Sequence, residues 1–348
     1  MSMDFKCNLK TARELVEQVY GELVPMMWSA PGIGKSSLVN QMAWDLDVPV
    51  YDIRLAQMDP IDLKGIPTIK NDRTVWLTPN FFPTEGEGLM FFDEFTCSPP
   101  AVQNASLQLI LERRHHDYFV PDEVKILCAG NAAEHGAFVS KLSAPMKNRM
   151  AHIHIEPSWE ISKDYFVKKG VSQEVIAFLD WRPELLHDMS SLESGAFPTP
   201  RSWENLSKVF ASLKTDKLTG KDALDLGVIV VGQGAAVEFS SFLDIYINVH
   251  PEDILEKGEL PTFTHDDVAI KYASTGAVAH YFLKKIRKPK EHHVTNLMTF
   301  MESLEPEFQV KLMKNCNWLK HRAHYKACLE VSGEKFHKLN ERLVRLLG

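Results

Sequence analysis

The stretch Val24-Pro-Met-Met-Trp-Ser-Ala-Pro-Gly-Ile-Gly-Lys-Ser-Ser-Leu-Val-Asn40 decides how the rest of the chain is read. Its first five residues, Val24 to Trp28, have the continuous apolar character of a strand buried on both faces of a parallel sheet. They break into Ser29-Ala-Pro-Gly-Ile-Gly-Lys-Ser36, after which Leu38, Met42 and Leu46 recur at helical spacing. Strand, glycine-lysine-serine loop and helix form the context that a phosphate-binding loop requires. Gly32 and Gly34 allow successive backbone N–H groups to turn inward on phosphate oxygens. The helix that follows directs its positive dipole end at the same anion. In this reading Ser29, Ala30, Pro31, Gly32, Ile33, Gly34, Lys35, Ser36 and Ser37 surround the phosphates. Lys35 reaches the β and γ groups, and the Ser36 hydroxyl is a ligand for Mg²⁺. Ser29 stands where the pattern G-x-x-x-x-G-K-[ST] has its first glycine.

Gly88-Leu-Met-Phe-Phe-Asp-Glu-Phe95 is a second apolar strand, and it ends in two acids. Open α/β sheets place their ligands at the carboxyl ends of strands. Adjacent carboxylates after an apolar run are costly unless a cation or a reaction uses them. Asp93 is therefore expected to hold Mg²⁺, mostly through water, and Glu94 to polarise an attacking water. Together the stretches predict an ATP-hydrolysing core.

A chain of 348 residues is long enough for two or three domains with a large core. The net charge of −7 argues against a general nucleic-acid binder. Five scattered cysteines, an odd count, fit a reducing compartment better than a disulfide framework. No signal-peptide pattern opens the chain, and the longest apolar run, Leu226 to Val237, is too short and glycine-interrupted to span a bilayer. These features predict a soluble cytoplasmic protein.

Along the chain, alternation of strand and helix patterns to about Pro157 predicts an α/β sheet. A helix is expected from Asn8 to Leu23 and a strand from Val48 to Leu55. A hairpin-bearing insertion should follow over residues 59–77. Ser98 should cap a helix that has Pro99 and Pro100 in its first turn, and another hairpin is expected from Arg113 to Pro121. The strand Val124 to Ala129 leads through a loop, Ala132 to Ser143, into a last strand at Ala151 to Ile155. Helical patterns then cover Trp159–Lys169, Ser172–His187, Pro200–Leu213, Lys221–Tyr246, Phe263–Lys285 and Thr295–Gly348. The basic run Lys284-Lys-Ile-Arg-Lys-Pro-Lys290 marks a boundary.

Several smaller features admit two readings. His152 and His154 share a strand face and are either a metal pair or ordinary strand residues. His321, His324 and Cys328, with Cys316 a turn away, form either a zinc site or a helix-packing face. The run at Lys284 either touches nucleic acid or is a solvated helix end. Asp59 and Asp62 either face a partner or cap turns.

Five separated segments occur in the order of an AAA+ ATPase and most resemble its MoxR branch. They are Ser29 to Ser36, Phe91-Phe-Asp-Glu94, Ala129-Gly-Asn131, Leu142-Ser-Ala-Pro-Met-Lys-Asn-Arg149 and Thr199-Pro-Arg-Ser-Trp203. Met58-Asp-Pro-Ile-Asp-Leu-Lys-Gly65 is also similar to that branch. The resemblance runs from about Leu9 to Tyr246, and the chain has one residue fewer between Pro145 and Asn148 than the branch pattern. It implies a P-loop NTPase α/β parallel sheet with flanking helices (the AAA+ core, 1–157). An all-α lid (158–290) and a helical C-terminal extension (291–348) follow, the last without resemblance to anything named.

The same resemblance implies a ring, commonly a hexamer, with ATP and Mg²⁺ between subunits. Asn131 would be the sensor that orients water, and Arg149 a finger reaching the neighbour's site. Arg201 would be the lid arginine, acting in cis or in trans. It further implies ATP-driven, chaperone-like remodelling of a protein client. A separate partner with a von Willebrand factor A-type domain is implied as well. The alternative is a nucleic-acid-associated AAA+ motor or translocase, and a non-hydrolysing nucleotide-gated scaffold is a further rival.

Overall fold

The computed structural model describes residues 5–132, 140–190, 195–213, 218–264, 266–318 and 320–347, without the side chains of 340 and 342–347. The chain forms two compact units. The first comprises Met1–Ser162 with Thr199–Arg201, and the second Lys163–Pro198 with Ser202–Gly348.

In chain order the first unit contains β1 (Lys6–Cys7), α1 (Leu9–Val19), β2 (Val24–Trp28), α2 (Lys35–Leu46), β3 (Val50–Arg54), α3 (Pro60–Lys64), β4 (Ile66–Lys70) and β5 (Arg73–Leu77). β6 (Gly88–Asp93), α4 (Pro100–Glu112), β7 (Arg114–His115), β8 (Tyr118–Phe119), β9 (Val124–Gly130), α5 (Ala144–Arg149) and β10 (Met150–Ile155) follow. Six strands make one sheet in the order β1-β10-β2-β9-β6-β3, and every pairing in it is parallel. This is the expected α/β class. The apolar runs are explained by burial: Met26, Met27, Met90, Phe92, Leu127 and Cys128 have essentially no exposure. Pro25, which lacks an N–H, is tolerated because pairing with β9 begins only at Met26.

The insertion is a hairpin, β4 with β5, whose turn residues Asn71 and Asp72 both have left-handed φ. That is the two-residue turn whose twist matches antiparallel strands. Residues 60–64, at the start of the expected insertion, form the short helix α3, and the Asp59 N–H is capped by the Asp62 carboxylate at 2.8 Å. This local capping accounts for the Asp62 carboxylate. The edge strand β1 is too short to show in the sequence pattern. Ser98 does not cap α4. Its hydroxyl donates to the Phe95 carbonyl at 2.7 Å, closing the tight turn after β6, and Pro99 occupies the cap position. Of the loop expected at 132–143, residues 133–139 lie outside the described residues.

The second unit is helical. α6 (Trp159–Lys169) leads into it, followed by α7 (Gln173–Trp181), α8 (Pro200–Ser212), α9 (Gly220–Val231), α10 (Gln233–Ile247), α11 (Val268–His280), α12 (Glu291–Glu302), α13 (Pro306–Asn315) and α14 (Arg322–Leu347). Where one helix is expected over 221–246 there are two, parted by Gly232 at φ +87°. Likewise Pro183 ends the helix begun at Gln173, and a 3-10 turn continues it. The unit's aromatic centre is Trp203 among Phe178 and Phe239, with the indole N–H donated to the Leu185 carbonyl at 2.7 Å. A second cluster gathers Phe282, Leu297, Phe300, Leu312 and Phe336. Among the described residues no helix is long and apolar enough to cross a membrane.

Candidate functional site

The carboxyl ends of β2, β9 and β6 lie side by side in the sheet, and each delivers one part of the site. From β2 the chain turns through Gly32 (φ +78°) and Gly34 (φ +116°) into α2. Gly34 is the helix cap, a backbone state that a side chain disfavours. A Cβ on Gly32 would fall 2.9 Å from Thr199, so that loop is also packed too closely for any larger residue.

Lys35 is the first residue of α2 and only 9% exposed. Its ammonium donates to Ser29 Oγ at 2.8 Å and to Asn131 Oδ1 at 3.0 Å. Burial pushes its pKa down to about 8 from 10.5; the Asp93 charge opposes that shift and the Arg201 charge adds to it. Ser29, the departure from the glycine pattern, therefore contributes what glycine cannot, a hydroxyl that accepts the lysine.

Ser36 Oγ donates to Asp93 Oδ2 at 2.6 Å. A hydroxyl and a carboxylate oxygen meeting in this way are the hard donors that Mg²⁺ takes, so the residues present fit that ion. The other carboxylate oxygen, Asp93 Oδ1, accepts the Glu94 N–H at 2.8 Å. Glu94 itself has φ +53°, in the left-handed region, and its side chain is exposed. Such a conformation costs about 1–2 kcal/mol for a residue with a Cβ, and it turns Glu94 off the strand line beside Asp93.

Thr96 is a site residue that the sequence pattern does not single out. It is fully buried, and its hydroxyl donates to the Asn131 carbonyl and accepts the Asn131 N–H, both at 2.9 Å. A Cβ on Gly130 would meet Thr96 at 2.7 Å, so this threonine locks the loop after β6 to the end of β9. The available signal is a hydroxyl two residues beyond the acidic pair, which is weak alone.

Arg201 stands at the start of α8, exposed, and its charge is felt at Lys35 of its own chain. Arg149 is elsewhere. It ends α5, and the next residue, Met150, pairs with Val24, the first residue of β2. Arg149 thus sits at the amino edge of the sheet, a strand length of roughly 13 Å from the loop at the other end. There its charge adds a little to the lowering of the Glu112 carboxyl, which is due first to the Arg114 hydrogen bond and then to that of Gln108.

The smaller features resolve structurally. Trp28 Nε1 donates to His152 Nδ1 at 2.9 Å and His152 Nε2 faces the Lys147 carbonyl at 2.8 Å, so both ring nitrogens are engaged; His154 stacks on Trp28. Cys316 and Cys328 are fully buried in the helical core with thiol pKa values raised by burial, and His324 Nε2 lies 2.7 Å from the Ile286 carbonyl. These contacts favour the helix-packing reading. Glu256, His292 and His293 bring possible ligand atoms within 4.8 Å of one another, which the sequence does not suggest. However, His293 Nδ1 accepts the Lys290 N–H at 3.0 Å. The neutral ring then carries its proton on Nε2, which lies 2.9 Å from Glu256, an arrangement for a hydrogen bond and not for a metal.

No family model and no curated protein matches the chain. Among solved structures it aligns with the RuvB Holliday junction branch migration motor from Thermotoga maritima at 13% identity, covering 80% of this chain and 74% of that one, with a TM-score of 0.30. It aligns with NtrX from Brucella abortus at 13% identity over 90% and 69% of the two chains, TM-score 0.39. A putative ATPase from Cytophaga hutchinsonii gives 13% over 97% and 88%, TM-score 0.35. Likeness this loose has no bearing on what the chain does.

Proposed function

We propose that the chain is a Mg²⁺-dependent ATPase of the AAA+ class. The observation that carries this reading is the convergence of Lys35, Ser36, Asp93 and Asn131 from the ends of neighbouring parallel strands. MgATP would bring the transferable phosphoryl group and a divalent charge on its oxygens. The loop from Gly32 to Ser37 would hold the phosphates by backbone N–H groups, with Lys35 released from Ser29 and Asn131 onto them. Ser36 and Asp93 would hold the metal. Glu94 would accept a proton from the attacking water, and Asn131 would orient that water from the position Thr96 fixes.

Arg201 is proposed to act on the nucleotide of its own chain. Arg149, at the far edge of the sheet, suits a finger only for a neighbouring copy, which extends the proposal to a ring, expected to be a hexamer. The MoxR-like motifs extend it further, to remodelling of a protein client with a separate von Willebrand factor A-domain partner. The division into core, lid and C-terminal extension at 157 and 290 belongs to the same proposal.

The test is ATP binding by calorimetry with phosphate release beside it. Wild type should bind and hydrolyse, and Lys35→Ala should do neither; unchanged affinity in that variant removes the phosphate-loop assignment. Stimulation by duplex DNA that falls steeply with salt would put a nucleic acid in place of the protein client.

A further inference from the structure

The helical unit contains a cleft of about 420 Å³ that the proposed nucleotide chemistry does not use. Its walls come from α6, α7, α11 with the turn after it, and the end of α13. Ile176, Ala177, Gly276, Ala279 and Leu283 form the apolar part of its lining, beside the polar Lys163, Gln173, Asp180, His280 and Asn315. A Cβ on Gly276 would lie 3.0 Å from the Ala177 Cβ, so α7 and α11 touch closely at this point of the lining.

The rim has the opposite character. Lys168, Lys284, Lys314 and Lys320 line it, all exposed. Three of them occupy last helical turns, where a cation complements the helix dipole. Dipoles explain a lysine at each helix end but not the convergence of those ends on one cleft. The buried carboxylate of Asp180 does not offset them, because it already accepts Lys163 at 2.6 Å and Lys311 at 3.2 Å. Asp164 is the remaining acid on the described lining. Burial lowers the pKa of both His280 and His321, and the Lys284 charge is the next cause in each.

We infer that this cleft binds a small phosphorylated ligand with an apolar body, such as a nucleoside monophosphate. Its volume falls in the range of sites that enclose one small molecule. Lysine acts as a compact point charge for phosphate, whereas the forked recognition of carboxylate belongs to arginine, and among the described residues no arginine lines the cleft. A phosphate places close to two negative charges on a single group, matching several ammonium groups around one opening. The apolar part of the lining would take the ring system of the ligand, with the polar side chains beside it. The basic run that begins at Lys284 thereby gains a role for its first residue. The inference is independent of the ATPase reading, since none of these residues belongs to the phosphate loop.

The test uses the full chain carrying Lys35→Ala, so that the phosphate loop contributes no signal. Fluorescent anthraniloyl-AMP is titrated by anisotropy, with pyrophosphate, a glutamate-rich peptide and a single-stranded oligonucleotide as competitors. Binding should be displaced by pyrophosphate, and Lys284→Glu with Lys320→Glu should weaken it about tenfold or more. Both positions are exposed, and an unchanged melting temperature confirms that the fold is intact. Affinity unchanged by the double charge reversal overturns the inference. Displacement by the peptide or the oligonucleotide at lower concentration than pyrophosphate also overturns it, in favour of a protein or nucleic-acid docking face.

Discussion

Lys35 makes a quantitative prediction, because its ammonium is buried before any phosphate arrives. Holding its pKa at about 8 instead of 10.5 costs the folded protein about 3 kcal/mol while the group is charged. Phosphate oxygens stabilise the charged form, so binding should return the pKa to or above its ordinary value. At pH 8 about half of the free molecules carry the proton, and nucleotide binding should take up about 0.5 proton per site. The uptake should be about 0.1 at pH 7 and about 0.9 at pH 9. The terminal phosphate has lost its own last proton over most of this range, so it does not mask the effect. Calorimetry in two buffers of different ionisation enthalpy measures the uptake directly. The sign for stability follows the same logic. The folded pKa lies below the unfolded one, so the penalty is complete below pH 8 and is relieved as pH rises toward 10.5. The unfolding free energy of the free protein should therefore climb over that window relative to Lys35→Met, which has nothing to titrate. Uptake that stays flat from pH 7 to 9, or that persists in Lys35→Ala, refutes the reasoning.

Glu94→Gln should keep ATP binding and slow single-turnover hydrolysis by about 10² or more, the usual contribution of a general base; near-normal turnover would assign water activation to another residue. Arg149→Ala should bind ATP normally and lose about 10³ in hydrolysis. Mixing it with Glu94→Gln should restore activity above either alone, since each variant supplies the part its neighbour lacks; a mixture that merely averages the two, with mixed oligomers seen by light scattering, refutes a finger in trans. Trp203→Ala should destabilise the helical unit by about 3–5 kcal/mol, because it empties a fully buried aromatic centre and strands the Leu185 carbonyl. Denaturant unfolding measures it, and a loss below about 1 kcal/mol would mean that the cluster is not cooperative.

The sequence alone determined five of the six sheet strands and the turn at Ser29 to Ser36, because these are written in local pattern, while the two-residue β1 is not. A strand buried on both faces must be apolar throughout, and a strand-to-helix turn with left-handed backbone needs glycine where φ is positive, as at Gly32 and Gly34. Asp93 and Glu94 were legible for the same reason, two acids where an apolar strand stops. Local pattern failed where a single residue interrupts a helical period. Gly232 and Pro183 break helices that hydropathy runs straight through. The tertiary structure decided what no spacing contains. It brought Asn131 to Lys35 across 96 positions of chain, set Thr96 between two loops, and gave Ser29 a partner. It also separated Arg149 from the loop at Ser29 to Ser36, since α5 returns the chain to the amino edge before β10 begins, while Thr199, two residues before Arg201, packs on Gly32 of that loop. The lysine-rimmed cleft in the helical unit depends on four separate stretches of chain and is invisible to any window of sequence. Pattern records what each segment must bury; only the packed chain determines which charges end up facing one another.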